Sequence, residues 1–238
     1  MGTFLLVHGA WHGGWCWKKL TPLLRRAGHE VFAPTLTGLG ERSHLLSPQV
    51  GLATHIRDVV AVLEYEDLHG VTLVGHSSGG MVITAVADQV PERVAHLVYL
   101  DAFVPDDGES VFDIVGPDAR AGFEEQARAA GDGWRVPSFP LARWGVTDEA
   151  DVRWMSPRIG PQPLAHFTQP VHLKNPGPHG FTRTYISCTM GRPAHFEAIA
   201  KRVRADRGWR YRELESGHDA MVTVPDRLAD LLLECIRQ

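Results

Sequence analysis

The 238-residue sequence predicts an α/β fold with a mostly parallel sheet. Three observations lead there. Short apolar runs alternate with helix-length amphipathic stretches along most of the chain, the pattern of a sheet covered by helices on both faces. One such run, Val71-Thr72-Leu73-Val74, enters a tight turn that leads directly into an apolar helix beginning Gly80-Met81-Val82-Ile83. Hydrophobic residues make up 44% and charged residues 22%; this is globular composition, at a length that buries a sizeable core without disulfides or structural metal.

The elements follow in order. Residues 3–8 read as a buried strand, followed by a Gly/Trp-rich turn and a helix over 17–27, with Gly28 at its C-terminal cap position. A second strand, 30–33, is stopped by Pro34, and a Gly-, Ser- and Pro-containing loop runs from 35 to 51. The helix over 52–65 carries Ile56, Val59, Val60 and Leu63 on one stripe. Strand 71–75, helix 79–89 and strand 94–100 come next. The alternation then stops between about 105 and 178, where Pro, Gly, Trp and charged residues show weak periodicity. It resumes with strand 181–188, helix 194–204, strand 209–214 and helix 225–237. The whole chain therefore reads as one domain, with the middle segment an inserted cap over the C-terminal edge of the sheet. The cap residues Trp134, Trp144 and Trp154 either line a pocket or pack on one another.

Charge and cysteine usage exclude several function classes. Lys plus Arg number 24 against 28 Asp plus Glu, a net charge of -4, so no basic excess favours nucleic acid. Cys16, Cys188 and Cys235 are widely spaced and odd in number, which argues against a disulfide framework or a zinc site. No apolar run reaches the ~20 residues of a membrane span, and the N-terminus opens on a strand rather than a signal peptide. A soluble cytoplasmic protein is expected, with no nucleic-acid or membrane partner; a homodimer is compatible with the sequence. Only Lys18, Lys19, Lys174 and Lys201 are lysines, an arginine bias of the kind that GC-rich bacterial genomes produce.

Gly75-His76-Ser77-Ser78-Gly79 carries the chemistry. In a G-x-S-x-G turn between a strand and a helix, small neighbours let the chain fold back sharply and leave the serine at the apex. Its hydroxyl then stands at a helix N-terminus, where N–H groups stabilise developing negative charge. Ser77 is the candidate nucleophile. Among 13 histidines, His218 follows the last strand in Glu215-Ser216-Gly217-His218-Asp219, at the sheet edge where Ser77 stands, and is the candidate base. The first strand ends in His8-Gly9-Ala10-Trp11, where Gly9 permits close backbone approach. The N–H groups of Ala10 and Ser78 are the candidate oxyanion donors. His8 and His12 straddle a turn, so His8 is read as ordering the loop and no metal site is assigned.

Across residues 8–17, 34–38, 75–80 and 217–218 the chain resembles the α/β-hydrolase superfamily, and within it the methylesterase and hydroxynitrile-lyase branch with its bacterial esterase relatives. The resemblance implies a six-stranded core in the order 2-1-3-4-5-6 and a cofactor-free enzyme with a Ser–His–acid triad. Ser77 and His218 carry over directly. The acid does not: relatives usually place an Asp after the fifth strand, where this chain has Cys188-Thr189-Met190-Gly191-Arg192. Asp101, at the end of the fourth strand, is the candidate instead, at a site that some haloalkane dehalogenases look to use. Glu197, Asp219, or a dyad without any acid are the alternatives, and Asp101 could merely cap a turn.

The expected function is hydrolysis of a carboxylic ester, methyl esters included, of a small and largely apolar molecule through an acyl-enzyme. Candidate pocket residues are Trp11, Trp15, Phe103, Trp134 and Trp154. A hydroxynitrile-lyase-type reaction is an alternative. The resemblance implies that such lyases use a Lys directly after the catalytic His, where this chain has Asp219, and a Thr where it has Gly9. A non-catalytic binding protein is the third reading, in which the missing acid signals lost catalysis.

Overall fold

Strands that are apolar on both sides must be covered on both sides, and the sheet is built this way. A computed structural model describes residues 2–174 and 180–236. The main sheet contains β1 (Thr3–Val7), β2 (Glu30–Phe32), β3 (Val71–His76) and β4 (Val94–Leu100). Two short strands, β5 (Arg135–Val136) and β6 (Gln162–Pro163), form a separate antiparallel pair, and β7 (Thr182–Cys188) and β8 (Arg210–Leu214) complete the main sheet. Its order is β2-β1-β3-β4-β7-β8, with every pairing parallel. That is the expected 2-1-3-4-5-6 topology.

The period of two along the strands divides the core. Leu5, Val7, Leu73, Leu97 and Tyr99 face one side; Phe4, Leu6, Val74, Val98 and Leu100 face the other. Helices α1 (Thr21–Arg26), α2 (Leu52–Tyr65) and α3 (Gly79–Gln89) precede β4. Helices α4 (Val111–Val115), α5 (Pro117–Ala130), α6 (Glu149–Met155) and α7 (Ala165–Thr168) lie between β4 and β7. The last three are α8 (Ala194–Ala205), α9 (Ala220–Thr223) and α10 (Pro225–Cys235). Ile56, Val59 and Leu63 of α2 join α3 and α8 on the first face, while Leu24 of α1 and Leu228 and Leu232 of α10 cover the second.

The helix expected over 17–27 is instead a 3-10 turn, Gly14–Lys18, followed by the six-residue α1. Pro22 lacks the N–H that a continuous helix would need there, so the helix restarts with Pro in its first turn. Gly28 takes φ +88° just beyond it, as a helix end requires. The expected cap end at 178 and helix end at 237 lie outside the described residues. Among the described residues no helix is long and apolar enough to cross a membrane.

The segment between β4 and β7 touches the loops that follow β1 and β8. Trp11, after β1, donates its backbone N–H to Gln162 Oε1 (3.0 Å) and its indole N–H to the Val136 carbonyl (3.0 Å). The Trp144 carbonyl accepts from the Asp219 N–H (3.3 Å). On α7, His166 meets His55 of α2 with their Nδ1 atoms 2.9 Å apart.

Several histidines are buried as neutral rings. The Leu36 N–H donates to His8 Nε2 (3.0 Å), so the His8 proton sits on Nδ1 and goes to the Gly9 carbonyl (2.8 Å). Burial pushes the His8 pKa down to about 3 and that of His55 down to about 4. In the unfolded chain both titrate near 6.5, so their contribution to stability is complete above that pH and is lost as pH falls toward the folded values. At pH 5 His8 alone should cost about 2 kcal/mol of stability. Thermal unfolding should therefore occur at clearly lower temperature at pH 5 than at pH 7.5; an unchanged midpoint would contradict the neutral assignment.

Candidate active site

Three non-glycine residues at positive φ stand at the C-terminal edge of the sheet: Trp11 (65°) after β1, Ser77 (53°) after β3 and Asp101 (42°) after β4. Such conformations cost about 1–3 kcal/mol each and persist only where neighbours hold them. The Ser77 N–H donates to the Leu100 carbonyl (3.3 Å), and the Ser77 carbonyl accepts from the Phe103 and Gly80 N–H groups (3.0 and 3.1 Å). The Asp101 N–H donates to the Ile186 carbonyl (2.8 Å). The Ser77 turn is thus tied to the end of β4, and the Asp101 turn to β7.

Close approach sets the rest. A Cβ on Gly80 would lie 2.0 Å from the Phe103 carbonyl oxygen, and one on Gly9 would lie 2.7 Å from Ser77 Cβ. Only glycine allows α3 to start against the β4 end and the β1 loop to reach the serine. Ala10 and Ser78 flank Ser77 on the wall of one cavity. Among the described residues neither of their backbone N–H groups has a protein acceptor.

His218 Nδ1 lies 2.7 Å from Asp101 Oδ2, and the other carboxylate oxygen accepts from the Cys188 N–H (3.2 Å). Nδ1–H therefore donates to Asp101 and Nε2 keeps its lone pair. The Asp101 side chain is 2% exposed and that of His218 12%. Neither alternative acid reaches this ring. Glu197 pairs with Arg192 at 3.2 Å, and the fully buried Asp219 turns away to His12 (3.3 Å) and His76 (3.7 Å). His76 donates from Nε2 to the His218 carbonyl (3.0 Å), fixing that loop from beneath.

Ser77 and His218 open on a cavity of about 200 Å³ whose wall is mostly aromatic. Of the expected pocket residues, Trp11 and Phe103 line it; Trp15, Trp134 and Trp154 do not. Trp15 lies in the 3-10 turn, stacked on His12 (5.5 Å) with Trp154 edge-on to it (5.4 Å), and Trp134 carries the Arg135 guanidinium over its ring. Trp144 takes their place, stacked on Trp11 at 5.6 Å, with Phe123, Phe139 and Phe167 around them. Two further polar groups missed in the sequence line the cavity. Arg143 sits over Phe139 at 4.1 Å. His195 stacks on Phe103 at 5.4 Å, and burial, with His218 nearby, lowers its pKa to about 4, so it is a neutral ring. No sequence signal marked either residue. A larger depression of about 790 Å³ shares no residue with this cavity and contains neither Ser77 nor His218. Among the described residues no group of three His, Cys, Asp or Glu side chains could hold a metal ion.

Residues 4–231 match the model of the alpha/beta hydrolase family. The chain is 43% identical over 241 residues to a carbendazim hydrolyzing esterase of Nocardioides sp., covering 98% of each. It is 39% identical over 104 residues to the salicylic acid-binding protein 2 of Nicotiana tabacum, covering 43% of this chain and 40% of that one. An extracellular alpha/beta-hydrolase from a Paenibacillus species superposes with a TM-score of 0.86 at 26% identity, over 99% of both chains. The chain belongs to the alpha/beta hydrolase family.

Proposed function

We propose that this protein is a carboxylic-ester hydrolase that works through an acyl-enzyme on Ser77, with His218 as base and Asp101 as the triad acid. The observation that carries this reading is the 2.7 Å contact of His218 Nδ1 with Asp101, on a ring that lines the same cavity as Ser77. Asp101 holds the imidazole in the tautomer whose Nε2 can accept a proton and stabilises the cation that forms.

Ser77 Oγ attacks the ester carbonyl carbon while its proton passes to His218 Nε2. The carbonyl oxygen becomes an oxyanion facing the Ala10 and Ser78 N–H groups. Collapse of this intermediate breaks the carbon–oxygen bond to the alcohol, which takes the proton from His218. Water then attacks the acyl-serine, giving its proton to His218. The second collapse returns that proton to Ser77 and releases the acid. The chain between β4 and β7 acts as a cap over this site, with Trp144 and its neighbouring phenylalanines as the apolar wall.

A lyase of the hydroxynitrile type would need a cation beside His218, and Asp219 stands there with its side chain buried away from the cavity. A non-catalytic reading loses its ground once Asp101 is assigned as the acid. The buried, unpaired thiols Cys16, Cys188 and Cys235 fit a reducing compartment, and we place the protein in a bacterial cytoplasm.

Fluorophosphonate labelling followed by peptide mapping tests the site. One adduct on Ser77 is expected, absent in Ser77→Ala and slower by about 10⁴-fold in Asp101→Asn, the scale of replacing a triad Asp by Asn. Labelling at an unchanged rate in Asp101→Asn would remove Asp101 from the mechanism.

The cavity also restricts the substrate. Its volume falls below the roughly 300–1,000 Å³ of sites for drug-sized ligands, so p-nitrophenyl acetate and butyrate should be hydrolysed at least about tenfold faster than the decanoate. A preference for decanoate would contradict the small pocket. Carbendazim, a flat aromatic methyl carbamate, is the first natural-scale candidate given the esterase at 43% identity. Methanol release, followed by gas chromatography and lost in Ser77→Ala, would establish it.

A further inference from the structure

His12 has a ring nitrogen facing an acceptor on each side. Nδ1 lies 2.7 Å from the Ala10 carbonyl oxygen, and Nε2 lies 3.3 Å from Asp219 Oδ2. A carbonyl and a carboxylate only accept, so a neutral imidazole, with its single N–H, can serve one of them and turns a lone pair on the other. Both contacts are made at once when the ring carries two protons. Ala10 is 4% exposed and Asp219 0%, so neither acceptor could turn to water instead.

The two acceptors belong to the two halves of the proposed machinery. The Ala10 carbonyl is one end of the Ala10–Trp11 peptide, whose N–H is held by Gln162. With both ends tied, the strained Trp11 turn keeps the Ala10 N–H on the cavity wall. Asp219 directly follows His218 and immediately precedes α9. His12 is thus the bridge between the oxyanion loop after β1 and the base loop after β8.

We propose that His12 and Asp219 form a buried imidazolium–carboxylate pair that positions the oxyanion loop against the His218 loop, and that activity requires its proton. The inference rests on the hydrolase reading of this site. His12 touches no substrate; it is a positioning residue. The other titratable groups around the pair include His76 from β3, with its ring 6.0 Å from that of His12 and its Nε2 3.7 Å from Asp219 Oδ1, His8 from the end of β1, Cys16 from the 3-10 turn, and Cys188 from the end of β7, whose thiol burial keeps protonated. Burial holds His8 and His76 neutral and keeps the Cys16 thiol protonated, so Asp219 is the charge His12 answers to. Trp15 and Trp144 close the remaining sides with their rings.

The direction of the pH effect follows. Burial opposes the charged ring, but the attraction of Asp219 and its hydrogen bond outweigh it and hold the His12 pKa above 6.5. A raised value means the pair is intact at lower pH and is lost as pH rises through the folded-state value. The kcat profile should then have an alkaline limb that belongs to His12.

Two measurements on the full-length protein decide this. In ¹⁵N-histidine-labelled protein at pH 7, both ring nitrogens of His12, assigned by their loss in His12→Gln, should carry protons and keep them above the pH where ordinary histidines titrate. A single protonated nitrogen would overturn the pair. In p-nitrophenyl acetate hydrolysis, His12→Ala should lose about 10- to 100-fold in kcat, the scale of a misplaced catalytic group, with KM within about twofold. Asp219→Asn should recover at least about tenfold of what Asp219→Ala loses. Its amide N–H can donate to His12 Nε2 while Nδ1–H still serves Ala10, so no extra proton is needed and the alkaline limb should vanish. An unchanged kcat in His12→Ala, or an alkaline limb that persists in Asp219→Asn, would overturn the proposal. If the wild type hydrolyses no ester, the hydrolase reading fails, while the nitrogen spectrum still decides the pair.

Discussion

The site depends on backbone meeting backbone at the start of α3. Gly80 sits so close to the Phe103 carbonyl, and Gly9 so close to Ser77, that any larger side chain would separate β1, β3 and β4 at their C-terminal ends. This closeness lets a hydrogen bond from Ser77 reach Leu100, and one from Phe103 reach Ser77. The same crossing forces Ser77 and Asp101 into positive φ. That strain is offset by the continuous core on both faces of the sheet, which leaves the strand ends no room to relax.

Around this crossing the protein manages charge mainly by excluding it. His8, His55, His76 and His166 are buried, and desolvation keeps each of them neutral. Each of the first three uses its single N–H on a backbone carbonyl, and His8 through Leu36, His55 through Thr37 and His76 through His218 each tie one segment to another. Two carboxylates are admitted, Asp101 and Asp219, and each lies beside a histidine. Asp101 turns to His218 and Asp219 to His12, so the residue next to the proposed base contributes to architecture rather than to the cavity.

Much of the cavity's wall comes from the segment between β4 and β7. Three of its four helices have seven residues or fewer, too short for a period of 3.6 to emerge in a sequence. Its pattern therefore predicted a cap without predicting which side of it faces the serine. Tryptophans could be singled out by size, yet Trp134 and Trp154 pack elsewhere while Trp144 meets Trp11. Phe123 of α5, Phe139 of a loop and Phe167 of α7 complete the wall, and nothing in their spacing links them.

Local pattern was enough for whatever is decided within a strand, a turn and the next helix. The apolar runs predicted the strands, the resemblance to the α/β-hydrolase superfamily implied their order in the sheet, and the small residues around Ser77 predicted the sharp turn at its apex. Position after the last strand separated His218 from twelve other histidines. What needed the tertiary structure was every relation across distant segments. Asp101 and His218 are 117 residues apart in the chain and meet only because β4 and β8 end at the same edge. Asp219 adjoins His218 in sequence, yet the backbone turns its side chain to His12, 207 residues away. Sequence names the groups that can hold a proton; which acceptors surround a ring, and so where its protons sit, is set by three-dimensional packing.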